Sequence, residues 1–255
     1  MIYRTLLFCC LLLAFTACTS SARTPPEPIY PKVLPGDASL NPAIITPHRL
    51  RYRKSGMFMV YDVRPVRYGD TNAIQAKIFV NQEYADDVAT DTIIFDRKTL
   101  AYRARQLGGG ADSPYRLEIE VQDHHLTGQL TPGQGSDYQP RSYDKQYPHD
   151  AFEPAIINYF IAALPLSEGY RASLPVFDLN DGSQMFWSNI EVLGRETLTI
   201  DGHTFDTWKV FSDGIKQKTI WISTNAPYAV QMKTSGNWGA WQIVPDAIHI
   251  ANDSP

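Results

Sequence analysis

Between residues 57 and 232 the chain repeats one design: short apolar runs, mostly of period two, separated by turn signals. In Arg116-Leu117-Glu118-Ile119-Glu120-Val121 the apolar side chains fall on one face and the two glutamates on the other. That is the pattern of a half-buried antiparallel strand, because successive side chains of a strand point to opposite faces. Runs of the same kind predict strands over 57–63, 74–80, 91–95, 115–121 and 126–130. They return over 171–177, 184–193, 196–200, 204–211, 218–222 and 228–232. Asp181-Gly182 and Asp201-Gly202 read as tight hairpin turns, since Asp-Gly readily takes the positive φ of a type I′ turn. Gly108-Gly109-Gly110 and the Gly- and Pro-containing stretch 131–148 read as loops.

The period changes once. Asp150, with Glu153 three residues on, makes a capping-box-like start, and Pro154 is tolerated in a first turn. Residues 155–164 are apolar almost all round, Asn158 excepted, until Pro165. A helix near 151–164 with no polar face must be covered on most sides, so it belongs between sheets or in the open side of a curved one. The expectation is a single antiparallel β-rich domain over 48–255 with one internal apolar helix.

The first 47 residues follow other rules. Arg4 supplies a positive charge, Leu6 to Phe15 form an unbroken apolar run, and Phe15-Thr16-Ala17-Cys18 follows. Ten apolar residues fall short of the ~20 that span a bilayer core, so 1–17 reads as a signal peptide. Small residues before a cysteine resemble the lipobox of bacterial lipoproteins, although Phe15 stands where that family usually has Leu. Cleavage before Cys18 and lipidation of Cys18 are the expectation; an ordinary signal peptide cut after Ala17, or a buried hydrophobic start, is the other reading. Of the three cysteines, Cys9 and Cys10 would leave with the leader, so the mature domain would hold no internal disulfide. The resemblance implies several acyl chains on Cys18, a durable anchor, and Thr19 at the next position favours delivery to an outer membrane. Residues 18–47 carry Pro25, Pro26, Pro28, Pro31, Pro35, Pro42 and Pro47 and read as a semi-rigid spacer, with Ile44-Ile45 equally able to pack along the domain. A net charge of -4 argues against nucleic acid, whose binding rests on clustered Lys and Arg.

Three segments carry a second resemblance: Ala162-Ala163-Leu164-Pro165-Leu166-Ser167-Glu168-Gly169-Tyr170, Leu174-Pro175-Val176-Phe177-Asp178 and Val192-Leu193-Gly194-Arg195-Glu196. With Thr204 to Val210 and Thr219 to Ser223 in the same order, they resemble a bacterial family known as domain of unknown function 3108, over roughly 152–232 and, more loosely, the strands before it. The resemblance implies an exported, mainly β protein and no catalytic residues. Its plan is similar to lipoprotein carriers in which a curved antiparallel sheet, or half-barrel-like meander, and a helix enclose an apolar cavity. That likeness of fold does not establish function.

No motif carries chemistry of its own. In Asp123-His124-His125 strand parity lets only Asp123 and His125 converge, fewer ligands than zinc needs. His149-Asp150 reads as loop and helix cap. Asp178-Leu179-Asn180-Asp181-Gly182 places its glycine one position early for a calcium loop and lacks the closing glutamate. Gly133-Gln134-Gly135-Ser136 lacks the third glycine and the strand-to-helix setting of a phosphate loop. There is no Gly-x-Ser-x-Gly elbow and no His-Glu-x-x-His pair, and Glu118 and Glu120 read as the solvated face of a strand. Among the five tryptophans, Trp187 and Trp221 fall opposite the apolar faces of their strands, which suggests a ligand groove or a surface that the helix covers.

The expected protein is therefore an outer-membrane lipoprotein facing the periplasm, non-catalytic and without cofactor or metal, whose Trp187 and Trp221 hold an apolar ligand such as a lipid. A structural or assembly lipoprotein contacting an envelope protein is the alternative, and an envelope hydrolase is the third.

Overall fold

The computed structural model describes residues 27–80, 90–108, 113–179, 184–225, 228–236 and 239–250. The leader, Cys18, Gly109-Gly110, Asp181-Gly182 and Trp238 lie outside the described residues.

One large antiparallel sheet organises the chain. Its first half is a meander of β1 (His48–Lys54), β2 (Met57–Tyr68), β3 (Thr71–Val80), β4 (Asp91–Asp96), β5 (Tyr102–Leu107), β6 (Tyr115–Gln122), β7 (His125–Pro132) and β8 (Arg141–Gln146). A 3-10 turn (Pro154–Ile156) and a short helix, α1 (Ile157–Ala162), carry the chain across. The second half runs through β9 (Arg171–Asp178), β10 (Gln184–Ile200), β11 (His203–Ser212), β12 (Lys218–Ser223), β13 (Ala229–Thr234) and β14 (Ala240–Ile243), with β15 (His249–Ile250) at the end. The spatial order is β8-β7-β6-β5-β4-β3-β2-β1-β14-β13-β12-β11-β10-β9, with β15 also on β1. The first and last long strands thus meet at a central seam, Tyr52 opposite Ile243.

The sheet is not closed into a barrel, since its outer strands β8 and β9 are not paired, but it curves until their inner faces meet. Tyr102 and Tyr147 reach Phe177 with ring centroids 5.8 and 4.6 Å away, and the Tyr143 hydroxyl donates to the Leu179 carbonyl. Residues 151 and 152 stitch the halves: the Tyr102 amide donates to the Ala151 carbonyl, and the Phe152 amide donates to the Pro175 carbonyl on β9. Lys32 adds a parallel bridge to Ser173 on the same edge, which shields an edge that would otherwise invite intermolecular pairing.

The expected plan, a mainly β curved antiparallel sheet with one internal apolar helix, is the one observed. All six residues of α1 are buried on the inner face. Tyr159 packs on His48 and Tyr61, and Phe160 on Phe95 and Phe152. The helix is shorter than the expected 151–164 and is capped differently. Glu153, not Asp150, accepts the backbone N–H of Ala155, while Asp150 faces Arg103 and His124. Pro154 forces the first turn tight, which defers the regular helix to Ile157. The stretch read as a loop over 131–148 contains β8, and β1, β5 and β14 are further strands that alternation alone did not reveal. The predicted breaks at 194–195 dissolve into the single long β10, which crosses them by a bulge between Val192 and Gly194. Part of the proline-rich segment lies on the domain, with Val33, Leu40 and Ile45 buried. Asp201 and Gly202 take φ of 50 and 80°, forming the predicted tight turn between β10 and β11.

Candidate functional site

Parity placed Trp187 and Trp221 opposite the apolar faces, and the structure puts them there. Ile220 and Ile222 point inward while Trp221 takes the opposite face, cross-strand from Lys209, and is nonetheless buried there. The helix is on the inner face, so it covers neither tryptophan. Each described tryptophan instead carries a cation of this chain over its ring: Lys32 over Trp187, Arg195 over Trp208, Lys209 over Trp221 and Lys54 over Trp241, at 4.5–5.6 Å. The aliphatic stems of such side chains shield the ring from water. His149 also packs on Trp187, 5.5 Å away. Trp187 and Trp221 do not converge, for Trp221 lies across Lys209 from Gly194, seven positions along β10 from Trp187, or roughly 23 Å at ~3.3 Å per residue.

The histidine clusters resolve into surface pairs. Asp123 and His124 form the β6–β7 turn with φ of 51 and 62°; His124 meets Asp150 at 3.0 Å and His125 meets Asp144 at 2.6 Å. No group of three metal-binding side chains occurs among the described residues. Glu118 is held below the ordinary carboxylate range, first by a hydrogen bond from Gln106 and also by Arg116. With Glu120, which accepts from the Tyr68 hydroxyl, it lines a broad, open and largely polar groove of about 690 Å³ on the outer face of the first half.

The concave side holds a feature that sequence reasoning missed. Arg105 projects inward from β5 and is gripped by two buried carboxylates. Its Nε and Nη2 donate to Asp91 at 3.0 and 2.6 Å, and its Nη1 donates to Glu153 at 2.6 Å. Burial pushes the Glu153 carboxyl up, and the Arg105 guanidinium opposes that shift. The sequence pattern did not mark β5 as a strand, and it is the register shift opposite Ile94 and Phe95 that turns position 105 to the same inner face as Tyr102, so no partner for a charge there was in view. Glu153 supplies one only because the 3-10 turn swings it under β5.

Beside this cluster, between the Pro154–Ile157 turn and strands β9 to β12, lies a half-open pocket of about 200 Å³. Pro154, Ala155, Ile157, Val176 and Ile215 give it apolar walls, while Lys218, Ser188 and Ser212 give it polar points. The two serine hydroxyls, both buried, are 3.0 Å apart. Burial pulls the Lys218 ammonium down from its ordinary value, with Glu153 opposing. Elsewhere the concave interior is filled by α1 and its aromatic neighbours. No helix among the described residues is long and apolar enough to cross a membrane.

A family model described as "Protein of unknown function (DUF3108)" matches residues 59–237, well over half of the chain and wider than the segments that first carried the resemblance. That description names no enzymatic activity. No curated protein and no solved structure matches.

Proposed function

Because the chain belongs to the DUF3108 family, whose description assigns no role, we propose one from its own geometry: a non-catalytic binding module, lipid-anchored through Cys18 on the periplasmic side of the outer membrane, that takes a small apolar ligand on its concave side. The observation that carries this reading is the pocket beside α1, where apolar walls enclose open volume. Its size bounds the ligand. At about 200 Å³ it exceeds the ~150 Å³ that admits a benzene ring and falls below the ~300–1,000 Å³ usual for drug-sized ligands. A ring or the end of an acyl chain fits, and a whole lipid does not. Trp187 and Trp221, each beneath a cation, do not line this pocket.

Native mass spectrometry of the purified protein, followed by methyl NMR with 1-octanol, tests the pocket. A discrete bound mass, or shifts centred on Ile157, Val176 and Ile215, supports it. A clean mass with no shift overturns it in favour of the second reading, an assembly lipoprotein, which the otherwise filled interior favours. For that reading the open side of β8 offers an edge, although Arg141, Asp144 and Lys145 along it discourage strand addition. The anchor has a separate test. Cys18→Ala should move the protein from the membrane to the soluble fraction, and unchanged retention would refute lipidation.

A further inference from the structure

The charges of this chain are not spread evenly over the sheet. Leu50 and Tyr52 of β1 are buried inside, so parity turns Arg49, Arg51 and Arg53 to the outer face. Opposite them on β2 stand Asp62, Val60 and Phe58, with Arg64 next on the same face, and on β3 Lys77 and Phe79 stand opposite Asp62 and Val60. On the other side of β1, β14 brings no charge and β13 adds Lys233, opposite Ala240. Five neighbouring strands, β3-β2-β1-β14-β13, thus turn six cations outward. Two carboxylates reach them: Asp62 holds Arg64 at 2.8 Å, and Asp201, from the β10–β11 turn, holds Arg53 at 2.5 Å. Arg51 lies over the Phe58 ring. Arg49, Lys77 and Lys233 have no ion pair among the described residues. In a chain of net charge -4, this face keeps an excess of three positive charges even with Arg51 left out of the count, spread over roughly 19 Å at ~4.8 Å per strand. At the hairpin end an open cleft of about 420 Å³ continues the pattern, lined by Arg51, Arg53, Lys54, Met57 and Phe58 and by no carboxylate.

We propose that this face docks the domain on a membrane surface that carries anionic lipid headgroups. Charge complementarity selects the sign of the partner, and the layout selects its form. Long cationic side chains spread over five strands, with the half-buried rings of Phe58 and Phe79 among them, suit a plane of diffuse negative charge above an apolar layer, and basic surfaces with apolar side chains hold anionic bilayers in this way. The anchor proposed above supplies the proximity. Nine residues lead from Cys18 to Glu27, the first described residue, and reach at most ~32 Å. The docking face deepens that reading by giving the tethered domain a side that turns to the lipid.

The test uses the full-length Cys18→Ala chain, so that its result does not depend on acylation. Co-sedimentation is followed with phosphatidylcholine vesicles containing none or about 30% phosphatidylglycerol, in about 0.05 and 0.5 M NaCl. Stronger binding to the anionic vesicles at low salt, and loss of that excess at high salt, are expected. Each cation at such a surface strengthens binding about fivefold (~1 kcal/mol). Arg49→Gln/Lys77→Gln/Lys233→Gln should therefore bind the anionic vesicles roughly a hundredfold more weakly. Lys98→Gln/Lys145→Gln/Arg195→Gln, which has the same net charge but is altered elsewhere, should lose far less. Equal binding to both kinds of vesicle, an excess that survives high salt, or equal loss in the two triple variants overturns the proposal. Capture by immobilised polyglutamate without binding to vesicles also overturns it and assigns the face to an acidic protein. If the first triple variant does not fold, Lys77→Gln/Lys233→Gln, at two exposed positions, should still lose roughly 25-fold. Salt does not release an acyl anchor, so a high-salt wash of wild-type membranes separates this contact from the anchor, and either can fail without the other.

Discussion

Arg105→Met is the most informative perturbation of the fold. Methionine matches the apolar stem of arginine but removes the guanidinium from between Asp91 and Glu153, two side chains only 7 and 1% exposed. Removing one member of a buried ion pair typically costs ~3–5 kcal/mol, because the charge left behind has lost its partner in a poorly solvated place. In a domain of this size 1 kcal/mol moves Tm by about 2–4 °C, so the variant should melt roughly 6–20 °C below wild type at pH 7. The loss should also depend on pH in a defined direction. Glu153 already has a raised folded value because it is buried, and without the opposing Arg105 it rises further above its unfolded value near ~4. The folded variant then binds more protons than its unfolded chain, so its stability falls as pH rises through that window. Relative to wild type, Arg105→Met should be least destabilised near pH 5 and most at pH 7, and Glu153→Gln added to it should recover part of the loss. Differential scanning calorimetry across pH 5–8 reads all of this. A Tm within 2 °C of wild type (below about 1 kcal/mol), or a deficit independent of pH, would refute the account of this cluster as a buried ion-paired lock.

Two more perturbations test other parts of the sheet. Gly128→Ala would set a Cβ 2.1 Å from the Glu118 carbonyl oxygen and 2.7 Å from Ile119 Cδ1, so overpacking of at least ~1–3 kcal/mol should appear as a lower denaturation midpoint, and an unchanged midpoint would contradict the β6–β7 packing. His48, buried between the Thr46 carbonyl and the Tyr159 hydroxyl, has its folded value lowered by burial. It therefore contributes stability that is full above the unfolded value near 6.5 and is lost as pH falls through and below it. His48→Gln should flatten that part of the stability profile, and an identical profile would show that folding leaves the His48 titration unshifted.

Much of the architecture was legible because a sheet with one buried face writes a period of two into its sequence. The run 116–121 did so cleanly, and 155–164 stood out because a helix enclosed by a curved sheet needs no polar side. The failures have equally physical causes. β1 alternates arginines with Leu50 and Tyr52, and β8 buries only Tyr143 among charged neighbours, so neither has the apolar content that marks a strand. The β10 bulge at Gly194 mimics a turn. Asp150 looked like a cap because capping spacing is local, whereas Glu153 is fixed by Arg105, 48 residues away. The pocket was invisible for the same reason. Ser188, Ser212 and Lys218 come from three strands of the second half and Arg105 from the first, and none of their local patterns announces a site.

The seam between β1 and β14 bears on how such a chain reaches its fold. Tyr52 and Ile243 are nearly the whole domain apart in sequence, yet their strands are neighbours at the sheet's centre. The nascent chain cannot complete that pairing until its last strands are available, and the loop that must close first is close to the longest the domain allows. High contact order of this kind slows folding. Moving the chain ends to the β8–β9 crossover would join β14 to β1 by a short linker and make the seam local, and such a permutant should fold faster.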